Sequence, residues 1–352
     1  MTNEVLSQFG ISGKCELFGN GHINTTYKIE DKYIVQKLNT EVFKDPCAVM
    51  NNIFLVTEYI RNKARERGLD PSKKTLEFLH TLDGKEFYRN ELGVFRAYRY
   101  IDKAYAPSDE QKSPQVMYEA AKTIGEFQYM LSDFNAAKLA DVIPDFHNTE
   151  KRLENLEKSV LENKSHRAGS VREEIAFVLS NRSLASLIIN AVKDGSVPLR
   201  VSHNDTKLNN VLFEEGTDKG LCLIDLDTVM GGTYLYDFGD AMRIGGTYSA
   251  EDEKDLGKVR FDLELFGGFA KGYLESASEI LTDGEKKLLF SSVVIMTLEC
   301  GCRFLTDYID GDVYFRTAYK EHNLVRARNQ FALVKDMLSK KEEAEKIVVK
   351  YL

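Results

Sequence analysis

The chain has 352 residues, 43% of them hydrophobic and 29% charged, the proportions of a globular protein large enough for two lobes with sizeable cores. Its net charge of −8 leaves no broad basic footprint for nucleic acid or an anionic membrane. Cys15, Cys47, Cys222, Cys300 and Cys302 are odd in number and lack a CxxC pair, which points to reduced thiols in a cytoplasmic protein rather than to disulfides or a zinc site. No secretion signal is expected from MTNEVLSQFGISGK, and the apolar window Leu288 to Leu298 soon meets Glu299 and Arg303, as a buried helix would.

Residues 11–100 read as a small strand-rich lobe. Strands are expected at Lys14 to Phe18, Thr25 to Glu30 and Tyr33 to Leu38, the first two flanking Gly19-Asn20-Gly21-His22-Ile23-Asn24. Gly19 and Gly21 allow a tight turn whose amides approach phosphates, or a plain hairpin. Lys37 stands where a phosphate-pairing lysine of a third strand would be sought, with Gln36 as the alternative register. Asp45-Pro46 caps a helix to Arg67, along which Val49, Ile53, Val56 and Ile60 repeat at helical spacing. Leu76 to Leu82 and Val94 to Ile101 are further strand candidates, the second leading into a hinge near Tyr98 to Asp102.

From residue 101 onward the pattern is mainly helical. Ser113-Pro114 opens one helix, and others are expected at Thr149 to Asn163, Val171 to Lys193, Lys254 to Ser276, Gly284 to Tyr308 and His322 to Leu338, followed by a charged helical tail. The division is therefore residues 1–100 as a nucleotide-binding lobe and 101–352 as a catalytic and substrate-binding lobe.

The stretch Val201 to Asp240 interrupts the helices. Val211-Leu212-Phe213 and Leu221-Cys222-Leu223-Ile224 read as two strands joined by a polar, glycine-bearing turn. Such a hairpin brings Asp205, Asn210, Asp225 and Asp227 to one end of a small sheet. Carboxylates gathered in a pocket repel one another and resist desolvation, and a divalent cation removes the conflict. Mg²⁺ suits one or two carboxylates completed by substrate phosphates. Asp205, Lys207 two residues on, Asn210 five residues on and an Asp after a strand follow the layout of a protein-kinase catalytic loop, in which the first Asp takes the hydroxyl proton and the Asn and later Asp hold the metal.

No APE segment follows. Instead the order is HxDxxxxN, IDxD and then Tyr236-Asp237-Phe238-Gly239-Asp240, which resembles the aminoglycoside phosphotransferase and choline kinase family. Within it, GNGHINTTY, VSHNDTKLNN, LIDLDT, YDFGD, ECGCRFLTDYIDGDVYF and EHNLVRARNQ are similar to bacterial N-acetylhexosamine 1-kinases, from about residue 18 to 330. The resemblance implies an α+β, bilobal, protein-kinase-like fold. It also implies ATP- and Mg²⁺-dependent phosphorylation of the anomeric hydroxyl of N-acetylglucosamine or N-acetylgalactosamine. By the same resemblance Asp205 is the base; Asn210 and Asp225 hold Mg²⁺, with Asp227 a second acidic ligand or a water-mediated one; and His22, Arg303 and Tyr314 contact the sugar. His203 orients the catalytic loop, and Lys207 brings positive charge to the γ-phosphate. The implied partners are a small-molecule sugar and a nucleotide, with no nucleic acid and no membrane. Other acceptors (choline, an amino alcohol, an aminoglycoside) and a non-catalytic nucleotide-binding module stand as alternatives.

Overall fold

A computed structural model describes residues 2–19 and 23–352. Gly21 and His22 lie outside the described residues. A short helix, α1 (Asn3–Gln8), precedes strands β1 (Cys15–Leu17), β2 (Thr25–Ile29) and β3 (Tyr33–Leu38). Helix α2 (Pro46–Glu66) follows, capped by the Asp45 carboxylate on the amides of Cys47 and Ala48. Next come β4 (Phe78–Leu79), β5 (Tyr88–Asn90) and β6 (Gly93–Arg99), closing an antiparallel sheet of order β1-β2-β3-β6-β4 with β5 also on β6. Only Phe78 and Leu79 of the expected strand Leu76 to Leu82 pair with β6.

The two faces of this sheet are distinct. Val35, Phe95 and Ala97 face outward, where Val5, Leu6 and Phe9 of the first segment cover them. Gln36 and Arg96 are cross-strand partners facing the interior, while Lys37 pairs with Phe95 on the outer face and is exposed. Strand alternation therefore removes Lys37 from the cleft. The expected phosphate lysine is corrected on this point: the register that points inward carries Gln36.

The rest of the chain runs β7 (Ala104–Tyr105), α3 (Pro114–Met130), α4 (Thr149–Glu162), α5 (Arg172–Ser180), α6 (Arg182–Ala185) and α7 (Leu187–Lys193). It continues through β8 (Arg200–Ser202), β9 (Val211–Glu214), β10 (Gly220–Leu223) and β11 (Met230–Gly232). Helices α8 (Tyr234–Gly245), α9 (Leu263–Ala277), α10 (Asp283–Asp310), α11 (His322–Ser339) and α12 (Lys341–Tyr351) complete it. The single helix expected from Val171 to Lys193 is instead broken, with a bend of 54°. The Ser180 hydroxyl and Asn181 amide both bond the Phe177 carbonyl there, competing with the helical ladder. The helix expected from Lys254 begins only at Leu263, because Asp255 bonds the Gly257 amide in a local turn and Asp262 caps the Glu264 and Leu265 amides.

Helix α10 is the buried axis of this part. It is long and apolar enough to cross a membrane, yet 83% of its most apolar window is buried inside the protein. A capping box of Thr282 and Glu285 starts it, and Gly311 in the left-handed region ends it. Helices α3 and α9 lie close together because α9 presents glycines to α3: a Cβ on Gly268 or Gly272 would sit 2.1 Å from the carbonyl oxygen of Pro114 or Tyr118. Gly267, by contrast, faces open space. Gly267→Ala is expected to stabilise by up to about 1 kcal/mol through helix propensity, whereas Gly272→Ala is expected to lose about 1–3 kcal/mol by overpacking. Urea unfolding followed by circular dichroism compares the two; equal stabilisation by both would contradict the close backbone approach.

Candidate active site

The site is built on the short ladder of β8 with β11, in which Ser202 pairs with Met230 and Val201 with Gly231. The chain leaves β8 as the loop Ser202 to Lys207, makes a tight turn over Leu208–Asn210 and enters the β9–β10 hairpin. Asp237, in the first turn of α8, fixes this loop from beneath. Its fully buried carboxylate accepts hydrogen bonds from the Ser202 hydroxyl (2.8 Å), the His203 amide (3.1 Å), the Asn204 amide (2.8 Å) and the Gln128 side chain (3.1 Å). Thr206 adds two bonds, from its hydroxyl to the Asp237 carbonyl (2.6 Å) and from its amide to Asp240 (3.0 Å).

The loop carries Asn204 at φ 65°, a left-handed conformation that asparagine tolerates. The Asn204 side-chain Nδ2 donates to the carbonyls of Ser202 and Thr228, and the Thr228 hydroxyl donates to the His203 carbonyl. His203 is completely buried. Its Nε2 donates to the Ile224 carbonyl (2.9 Å) and its Nδ1 accepts from the Asp205 amide (3.3 Å), the pattern of a neutral ring. It holds the two acidic loops together.

Asp205 is half-buried, and one oxygen accepts from Lys207 Nζ (2.9 Å) and Asn210 Nδ2 (3.0 Å). The same Asn210 nitrogen bonds the Asp205 carbonyl (2.8 Å), so the Asn210 amide oxygen is the group left for a ligand. Burial alone would lower the Lys207 ammonium, but Asp205, Asp225 and Asp240 outweigh it and hold the cation charged. Asp225 is half-buried at φ 61°, and its carboxylate makes no hydrogen bond to any described residue. Desolvation, then Asp227 and Asp205, push it up to about 6. An oxygen ligand kept from protein donors beside a free amide oxygen fits Mg²⁺ completed by phosphate oxygens. Among the described residues no three His, Cys, Asp or Glu side chains gather as a metal cage.

Asp227 is placed differently from expectation. One oxygen is ion-paired with Arg96 of β6 and the other accepts from Asn24 Nδ2 (2.6 Å). All three residues are buried. Arg96 also donates to Gln36 (2.9 Å), and Asn24 accepts from the Asn39 amide (3.0 Å). Asp227 thus fastens the N-terminal sheet and the end of the glycine loop to the catalytic region, and the expected second metal-ligating acid is corrected to a buried counter-ion. Gly19 adopts φ 71° with open space around it, and no described contact gives it a partner.

Arg303 projects from α10 among the rings of Phe315 (5.4 Å), Phe146 (5.6 Å) and Tyr314 (6.0 Å). The alternative pair with Glu299 does not form as a direct bond, since the Glu299 oxygens go to His147 (3.0 Å) and Thr149 (2.7 Å). The guanidinium makes no hydrogen bond or ion pair with any described residue. A second cation, Arg152, lies nearby; burial and then the Arg303 charge lower it. Tyr314 is 69% exposed, not a packing residue. Its loop is anchored by Asp307, whose buried carboxylate takes the amides of Val313, Tyr314 and Phe315 and the side chain of Asn323. Asn24, Asp237, Asp240 and Asp307 stand inside motifs quoted from the sequence without a role assigned to them there, while Arg96 and His147 stand outside every motif.

A bilobal, kinase-like fold that gathers Asp205, Lys207 and Asn210 near an Asp225 carboxylate bonded by no described residue is the arrangement expected of a phosphotransferase. The model of the phosphotransferase enzyme family matches residues 14–268, and the chain belongs to that family. The fold is also that of an aminoglycoside phosphotransferase from Alicyclobacillus acidocaldarius (TM-score 0.62, 12% identity, 97% of each chain covered). A microcompartment-associated aminopropanol kinase is similar (TM-score 0.61, 14% identity, 97% of each chain). So is a choline kinase from Cryptosporidium parvum (TM-score 0.58, 16% identity, 94% of this chain and 89% of that one). The chain is accordingly a phosphotransferase by family, with the fold of these small-molecule kinases.

The distinct settings of the two acids lead to opposite expectations. Asp225→Asn should raise the Mg²⁺ concentration for half-maximal activity at least about tenfold, one lost charge-assisted contact. Asp227→Asn should leave that requirement within a few-fold while costing about 3–5 kcal/mol of stability by stranding Arg96. Mg²⁺ titrations of activity alongside urea unfolding read both; a large shift in Mg²⁺ requirement for Asp227→Asn at temperatures where it stays folded would return Asp227 to the metal site.

Proposed function

We propose that this chain transfers the γ-phosphoryl group of ATP, with Mg²⁺, to the anomeric hydroxyl of an N-acetylhexosamine. The observation that carries this reading beyond a generic kinase is Arg303. Its guanidinium offers five N–H donors to no described protein acceptor, amid three aromatic rings and beside a second arginine. Such a wall suits a neutral, oxygen-rich acceptor whose ring faces stack and whose acyl or hydroxyl oxygens accept. It repels a quaternary or primary ammonium, which favours acidic or aromatic surroundings free of competing cations. The hexosamine-kinase segments around Arg303 and Tyr314 agree. His22 is proposed as a further sugar contact on the sequence resemblance alone.

Asp205 orients the acceptor hydroxyl in line and takes its proton as the bond to phosphorus forms. Lys207, already drawn toward Asp205, places a compact positive charge where negative charge spreads over the transferred group. Asn210, through its free amide oxygen, and Asp225 would hold Mg²⁺, which when bound neutralises phosphate charge. Residues 1–100 are proposed to cover the nucleotide and 101–352 to supply catalysis and acceptor binding, with Gly19 and Gly21 lending backbone amides. Among related folds, an amicoumacin kinase was solved with AMP-PNP and Ca²⁺, and a spectinomycin phosphotransferase with ADP and spectinomycin, which supports a nucleotide donor and a divalent cation. A reduced, cytoplasmic setting is proposed on the odd number of cysteines and the lack of a CxxC pair in the sequence.

A panel of N-acetylglucosamine, N-acetylgalactosamine, choline, aminopropanol and kanamycin, scored by ADP release, tests the acceptor class. N-acetylhexosamines should be turned over; release with only the amines would overturn the assignment. On the preferred sugar, Arg303→Met should raise the acceptor KM about 10- to 100-fold, the equivalent of one charged hydrogen bond, and leave the ATP KM within twofold. Asp205→Asn should abolish turnover while retaining nucleotide binding by calorimetry.

A further inference from the structure

His147 lies between α3 and α4, outside every motif of the catalytic region, yet touches it directly. It is buried. Its Nδ1 is 3.0 Å from a Glu299 oxygen and its Nε2 is 3.1 Å from the Asn204 carbonyl oxygen. Neither a carboxylate nor a carbonyl oxygen has a hydrogen to give, so both contacts are hydrogen bonds when both ring nitrogens carry protons. The ring is then an imidazolium, opposite in state to the neutral His203.

The two histidines grip one peptide group. The carbonyl between Asn204 and Asp205 accepts from His147, and the N–H of the same group donates to His203. Asp205 departs directly from that plane, immediately after the left-handed Asn204. At the other end, Glu299 is completed by the Thr149 hydroxyl and stands one helical turn before Arg303 on α10. We propose that His147, as an imidazolium, is a positioning residue that locks the peptide plane carrying Asp205 and ties it through Glu299 to the helix carrying Arg303. The proposal rests on Asp205 being the base of the transfer.

The surroundings sustain the charge. Burial opposes it, while Glu299 and, from α8, Asp240 outweigh burial and raise His147 above an ordinary histidine. Burial likewise opposes ionised Glu299, and His147 followed by Arg303 holds it below the ordinary carboxylate range. The rings of Phe146 (4.4 Å) and Tyr236 (5.2 Å) close the remaining sides. The raised value means the stabilising contact is complete below the ordinary histidine value and is lost as pH rises through the folded one. Loss of the proton leaves one oxygen, of Asn204 or of Glu299, without its donor.

Nitrogen-15 NMR of the histidine-labelled full chain tests the charge, and steady-state kinetics tests the role. At pH 7.5 one histidine should show both ring nitrogens protonated, and that signal should vanish in His147→Gln. The variant should lose about 10- to 100-fold in kcat, as for a misplaced catalytic group, with both KM values within twofold. It should also lose the alkaline limb of the wild-type pH profile. A wild-type spectrum in which all histidines are neutral, or a folded His147→Gln with wild-type kcat, would overturn the proposal. The NMR arm needs no acceptor, so a failure of hexosamine turnover would strike the proposed function and not this assignment.

Discussion

The active site depends on one buried carboxylate. Asp237 takes a hydroxyl, two consecutive backbone amides and a side-chain amide, so every strong acceptor direction is used inside the protein. The charge is tolerable only because these donors replace water and because the residue lies in the first turn of α8, where the helix dipole favours an anion. The reverse dependence is equally strict. Without Asp237 the amides of His203 and Asn204 would be buried donors with no acceptor, and the loop bearing Asp205 would lose its base. Asp307 repeats the device at the acceptor wall, folding the loop of Tyr314 around a single carboxylate. Loops that carry chemistry are held here by buried anions rather than by strands.

The second constraint is the buried Arg96–Asp227 pair, which joins residues 131 positions apart. Two charges removed from water bring little net stability, but each makes loss of the other expensive. The pair therefore specifies how the N-terminal sheet sits against the catalytic region more than how strongly. It also sorts the acids of the IDLD segment. Asp227 is spent on Arg96 and Asn24, which leaves Asp225 as the carboxylate able to meet a cation. The inward-facing cation of the sheet is an arginine on β6, with Gln36 beside it and Lys37 turned away.

The sequence carried much of this arrangement because spacing constrains it. Asp205, Lys207 and Asn210 meet through contacts two and five residues apart, and the hairpin that brings Asp225 near them is local as well. Helix starts marked by Asp45-Pro46 and Ser113-Pro114 appear where capping chemistry places them. What was illegible lay in long-range pairing and strand parity. Nothing near Asp227 announces Arg96, and nothing near His147 announces Glu299. A shift of one residue decides whether Lys37 or Gln36 faces the cleft. Local turns of Asp255 and Asn181 likewise broke helices whose apolar repeats ran on regardless.

One small set of side chains is proposed to divide the work: Asp205 on the hydroxyl, Asn210 and Asp225 on the cation, Arg303 on the acceptor, with Asp227 on Arg96. A crystal structure with a non-hydrolysable ATP analogue, Mn²⁺ and N-acetylglucosamine tests all four assignments at once. Mn²⁺ is expected bonded to Asn210 and Asp225, with Asp227 still paired with Arg96 and the anomeric hydroxyl on Asp205 with Arg303 against the sugar. Mn²⁺ bonded to Asp227, or the sugar presenting a different hydroxyl to Asp205, would contradict this division.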